Sequence, residues 1–173
     1  TSGNDFAFTG TVTIAGNLTL TAVNSYSGGT LAVAGNVTTT GAITSSPITT
    51  TILIEGNGTQ TLGASGVTGE LPAITINKSG GSLTLQDTLR ARRGWTYTAG
   101  TVDAGTSTVS FYGSQNKVIN TGTTLAFNHV IFDTNANVTI TGTMNVDGNF
   151  HRCQRYQRWN DYGGGQSCHH QYR

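Results

Sequence analysis

The chain has 173 residues and a formal net charge of +1, with only 10% of residues charged, against about 25% in a typical soluble domain. Near-neutrality without a basic stripe excludes a nucleic-acid binder, which needs cations to neutralise phosphates. No stretch approaches the roughly 18 apolar residues of a membrane span. Solubility must come from hydroxyls, amides and exposed backbone. Thr, Ser, Asn and Gly dominate the polar residues. This predicts many short strands, because β-branched side chains suit a pleated backbone. Gly and Asn supply the tight turns between them.

The first segment, Phe6 to Ile14, alternates apolar and small polar residues. It reads as a strand that can pair with a neighbouring chain, with Phe6, Phe8, Val12 and Ile14 as candidate subunit contacts. A turn signal followed by an alternating strand then recurs. The copies are Gly16-Asn17-Leu18-Thr19-Leu20, Gly35-Asn36-Val37-Thr38-Thr39, Gly58-Thr59-Gln60-Thr61-Leu62, Gly81-Ser82-Leu83-Thr84-Leu85 and Gly100-Thr101-Val102. Their starts lie 19 to 23 residues apart, inside the range of solenoid repeats. Alternation such as Val12/Ile14, Leu83/Leu85 and Val138/Ile140 gives each strand one buried face. No amphipathic helix of useful length is legible, because Gly interrupts almost every window. The fold class is therefore all-β, a β-solenoid of about 20-residue coils. The alternative is a β-sandwich of short antiparallel strands, which needs no repeat.

Further along, Arg90-Ala91-Arg92-Arg93 departs from the pattern, where Thr, Val and Asn are expected, and weakens the case for a strand there. With Trp95 and Tyr97, these arginines are candidate contacts for a ligand or partner, such as surface carbohydrate. The acids (Asp5, Glu55, Glu70, Asp87, Asp103, Asp133, Asp147 and Asp161) are scattered through the chain. A polysaccharide-acting enzyme needs such groups converging in one groove, so no catalytic residue is assigned. No cofactor is expected. Asn17, Asn36, Asn57, Asn77 and Asn137 begin glycosylation sequons, but they sit where a turn enters a strand. His129 reads as an ordinary strand residue.

Composition breaks near residue 150. Residues 1–150 form the Thr/Gly-rich repeat domain, and residues 151–173 form a tail without Thr, Ala, Val, Leu, Ile or Phe. The tail holds both cysteines. Cys153 and Cys168 are candidates for a disulfide worth about 3 kcal/mol in the loop-entropy model. With His169 and His170 they are a weaker zinc set, since no Cys-x-x-Cys is present. Tyr156, Trp159, Tyr162 and Tyr172 could stack on a sugar or a partner chain.

The stretch from Gly56 to Phe150 resembles the Thr/Gly-rich β-solenoid repeat regions of large bacterial surface proteins of adhesin and haemagglutinin type. Gly58-Thr59-Gln60-Thr61-Leu62, Ile74-Thr75-Ile76-Asn77-Lys78-Ser79-Gly80-Gly81, the run from Trp95 to Gly105, and Val138-Thr139-Ile140-Thr141-Gly142 carry the likeness. It implies an extracellular role in attachment, cohesion or filament formation, and no chemistry. The sequence-based expectation is an extracellular structural protein that self-assembles through exposed strand edges. An adhesin module is the alternative.

Overall fold

The computed structural model describes residues 5–66, 69–133, 135–154 and 167–169. The chain is an all-β solenoid of about seven turns, with parallel strands about 21 residues apart. β1 (Asp5–Ala7) precedes the first full turn, which comprises β2 (Thr11–Ile14), β3 (Leu18–Leu20) and β4 (Ser25–Ser27). Turn two has β5 (Thr30–Val33) and β6 (Val37–Thr39), then single bridges at Ile43 and Ile48. Turn three has β7 (Thr51–Ile54), β8 (Gln60–Ala64) and the two-residue β9 (Glu70–Leu71). In turn four, β10 (Ala73–Leu85) serves two faces and β11 (Thr88–Ala91) the third; in turn five, β12 (Trp95–Asp103) and β13 (Thr108–Phe111) do the same. Turn six has β14 (Asn116–Asn120), β15 (Ala126–Phe127) and β16 (His129–Phe132). Turn seven has β17 (Asn137–Thr141), β18 (Asn145–Val146) and β19 (Phe150–Gln154), followed by β20 (Ser167–His169).

Three stacks of strands result, and the sequence period of two explains the core. On the first face Leu31, Ile52, Ile74, Trp95 and Ile119 lie in one register line, with Val33, Ile54 and Ile76 in the next. On the second, Val37, Leu62 and Leu85 stack. On the third, Leu89, Val109 and Val130 stack. All of these side chains are buried in one continuous cluster. Each contributes roughly 1.5–3 kcal/mol by leaving water. Because each turn rests only on its neighbours, stability accumulates turn by turn.

The repeated Gly-Asn signal is a corner. Gly35 packs directly over the Gly16 carbonyl, and Gly81, at φ +60°, over the Gly58 carbonyl. A Cβ on Gly81 would stand 2.3 Å from the Gly58 oxygen. The asparagine beside the turn links successive coils. Asn17 Oδ1 accepts from the Asn36 amide and Asn36 Oδ1 from the Thr61 amide, each at 2.9 Å. Asn137 Nδ2 donates to Asn116 Oδ1 at 2.7 Å. Gly81→Ala should therefore lower stability by at least ~2 kcal/mol, combining left-handed strain with a backbone clash. Gly10→Ala shares the positive φ but meets nothing within 4 Å, so it should cost about half as much. Equal urea midpoints for the two variants would refute the corner-stacking account.

Several expectations need correction. The arginine run does not break the strand: Arg90 and Ala91 lie in β11, paired with β9 and β13. Arg90 finds an acidic partner there, which makes a charged residue tolerable in a strand. The change in composition at residue 150 also does not end the solenoid. β19 straddles it, and Phe150–Arg152 pairs parallel with β16.

The end turns differ from the middle. Phe6 and Val12 are 43% and 42% exposed at one end, and Ile140 and Phe150 are 41% and 39% exposed at the other. Their register partners Tyr26, Leu31, Ile119 and Val130 are buried. β19 is also paired with β20, and that pair is antiparallel. Every other pair among the described strands is parallel.

Candidate functional site: an ionic staple on the third face

In turn three the third face narrows to two residues, Glu70 and Leu71. Arginines from turn four reach past them to turn two. Arg92 Nη1 donates to the Ile43 carbonyl at 2.7 Å, and Arg93 Nε to the Ile48 carbonyl at 2.5 Å. Glu70, 2% exposed, is the hub. Its Oε2 accepts from the Ile43 amide at 2.9 Å and from Arg92 Nη1 at 3.2 Å. Its Oε1 accepts from the Tyr112 hydroxyl at 2.6 Å and lies 3.6 Å from Arg90 Nη1. One carboxylate thus ties turns two, three, four and five. Arg90 also covers the Tyr112 ring at 4.1 Å from its centroid, a cation–π contact. Burial, then the hydrogen bond and charge of Glu70, raise the Tyr112 phenol above its ordinary value, with Arg92 and Arg90 opposing.

Lys117 lies at the edge of this cluster. Its position is in phase with inward-facing Ile119, and it is 1% exposed. Nζ donates to the Gly113 and Gln115 carbonyls, each at 2.7 Å. Burial, then the charges of Arg92 and Arg93, lower its pKa to about 8, with Asp133 opposing. The Arg92 Nε is buried with no hydrogen-bond partner among the described residues.

A second buried polar corner joins turns two to four. Gln60 Nε2 donates to the Val33 and Gly35 carbonyls at 3.1 and 2.7 Å. Lys78 Nζ donates to the Gly58 carbonyl at 2.9 Å and to Gln60 Oε1. Burial lowers the Lys78 pKa. Both polar groups sit where strands turn, and each reaches back to carbonyls of the preceding coil.

These arrangements fasten coils. General acid–base chemistry needs a carboxyl or amine within reach of a substrate proton, whereas both Glu70 oxygens are engaged internally. The arginines predicted as ligand contacts are drawn into this staple. Trp95, predicted with them, is fully buried and packs edge-on against Phe127 at 5.5 Å. Its inward phase on β12 removes it from any ligand surface. Tyr97 is half-buried, its hydroxyl donating to the Gly100 carbonyl at 2.5 Å. Phe8 and Ile14 are half-buried against the core, whereas Phe6 and Val12 are exposed. Cys153 is disulfide-bonded, and Cys168 stands opposite it in the β19–β20 register. Among the described residues no group of three His, Cys, Asp or Glu is placed to hold a metal. His170, Tyr156, Trp159, Tyr162 and Tyr172 lie outside the described residues. Among the described residues no helix is long and apolar enough to cross a membrane.

Sequence reasoning missed Glu70, Tyr112 and the two buried lysines. Lys117 carried a readable signal, since it shares the phase of Ile119 while Val118 points outward. Glu70 carried none, because its partners come from positions 20 to 42 residues away. No protein-family model, no curated protein and no solved structure matches this chain.

Proposed function

We propose that the chain is an extracellular structural module, a rigid β-solenoid that self-assembles into a surface filament through the strand edges of its end turns. The observation that carries this reading is the contrast between middle and ends. The middle turns use their charged groups to fasten one coil to the next. The end turns leave Phe6, Val12, Ile140 and Phe150 exposed beside buried register partners. Exposed apolar strand edges template further pairing, and a head-to-tail contact that does not close gives a filament. The likeness to bacterial surface repeats supports the extracellular setting. The adhesin alternative is less favoured, because Trp95 is interior and Tyr112 is bonded to Glu70 beneath Arg90.

Sedimentation velocity over a range of concentrations, with and without a dithiol, tests the reading. Mass should grow with concentration in at least one condition, and electron microscopy should show rods. A concentration-independent monomer in both conditions would overturn it.

A further inference from the structure

We propose that the rim of loop 44–47 is an anion-binding site, where Arg92 and Arg93 present unused guanidinium nitrogens to an oxyanion such as the carboxylate of an acidic sugar. The site does not depend on how the ends of the solenoid associate. Three observations carry it. First, side chains from two later turns converge on one loop. Ile43 and Ile48 bound loop 44–47, and their carbonyls accept from Arg92 Nη1 at 2.7 Å and from Arg93 Nε at 2.5 Å. Gln115 Nε2 donates to the Ser46 hydroxyl of the same loop at 3.1 Å. That hydroxyl accepts there and keeps its own proton to donate. Residues 44–47 are exposed.

Second, donors are left over. A guanidinium carries five N–H groups. Arg93 uses only its Nε, and its terminal nitrogens have no partner among the described residues. They are not enclosed, so solvent reaches them. Arg92 makes its hydrogen bonds through Nη1, which leaves its buried Nε and its Nη2 without a partner among the described residues. Third, the charge is uncompensated. Arg90, Arg92, Arg93 and Lys117 are four cations gathered against two carboxylates, Glu70 and Asp133. This local excess is larger than the net charge of +1 on the whole chain. Lys117 is 1% exposed and adds its charge from beneath. Burial, then Arg92 and Arg93, hold its ammonium below the ordinary lysine value. Like charges packed against a buried amine are characteristic of sites.

The free donors select the ligand. Paired N–H groups of a guanidinium match the two oxygens of a carboxylate, or one edge of a sulfate. Ser46 and Gln115 give the rim neutral polar groups suited to sugar hydroxyls. The anion would sit over Lys117 and favour its charged form.

The chain has two lysines, Lys78 and Lys117. Labelling lysine Cε with carbon-13 therefore gives one reporter beneath the site and one in the Gln60 corner. Sodium glucuronate and sodium sulfate are each titrated at constant ionic strength, against sodium chloride with glucose. The Lys117 signal should shift saturably with either anion, its titration should move to higher pH, and the Lys78 signal should stay still. Arg93→Gln should weaken binding roughly tenfold or more, the scale of a lost charge-assisted hydrogen bond. Arg93→Lys keeps the charge but loses the fork, so it should fall between. The Lys78 signal reports whether each variant is folded. An oligogalacturonate that binds more tightly than glucuronate would make acidic polysaccharide the source of the carboxylate, and equal binding would make it a free anion. A response no greater than that to chloride would overturn the site. So would folded Arg93 variants that bind both anions as the unaltered protein does.

Discussion

Glu70→Ala is expected to destabilise the solenoid by roughly 3–5 kcal/mol, the scale for removing one partner of a buried ion pair. The substitution strips a carboxylate from Arg92 and Arg90, removes the acceptor of the Tyr112 hydroxyl, and leaves the Ile43 amide without its 2.9 Å bond. Glu70→Gln separates these contributions. It keeps one carbonyl oxygen, so it can still accept from either the Ile43 amide or the Tyr112 hydroxyl. It loses the charge that faces the arginines. Its cost should lie between wild type and Glu70→Ala. The effect should also be regional. Hydrogen exchange should quicken at 41–43, 88–92 and 108–112, which the carboxylate ties together, and much less at β2 or β17. Uniform quickening along the rod, or a loss below ~1 kcal/mol in urea unfolding, would refute the staple.

The repeat was legible because its physics is local. A Gly that lets two backbones approach, an Asn that bonds the next coil and an alternating strand each need only a few residues, and they recur at nearly constant spacing. The first-face column from Leu31 through Ile74 follows from phase alone. The staple was not legible, because it exists only where successive coils of similar length divide their residues differently among the faces. Turn two carries the longer path through Ile43 and Ile48, turn three offers only Glu70 and Leu71, and the arginines of turn four span the difference. A linear reading saw three cations in a row and assigned them outward. The fold meets Arg90 and Arg92 with one carboxylate 20 or more residues earlier, and Arg93 with the Ile48 carbonyl. Trp95 misled for a similar reason. Its ring suggested a binding platform, while its place in the Ile74–Ile119 register line directs it inward.

Lys117→Met should stabilise the protein at neutral pH, by roughly 2–3 kcal/mol, and the gain should shrink as pH rises. Lys117 is buried with a pKa of about 8 against an ordinary 10.5. Between those values the unfolded chain holds a proton that the folded chain does not, so folding gains stability as pH rises. Below about pH 8 the folded state must bury the cation beside Arg92 and Arg93, and the full cost applies. Methionine fills similar volume without charge. The Gly113 and Gln115 carbonyls it leaves are only partly buried and can bond water. Lys78 shifts the same way, so some pH dependence must persist in the variant. The difference between variant and wild type isolates Lys117. Tyr26 and Tyr112 are both raised above 10 and lose stability once pH exceeds that value. The comparison therefore belongs between pH 6.5 and about 9.5. Urea midpoints of the two proteins should converge across that window. A gap that stays constant with pH would mean that Lys117 is not paying for a buried charge, and that its two carbonyl bonds already meet the cost of its burial.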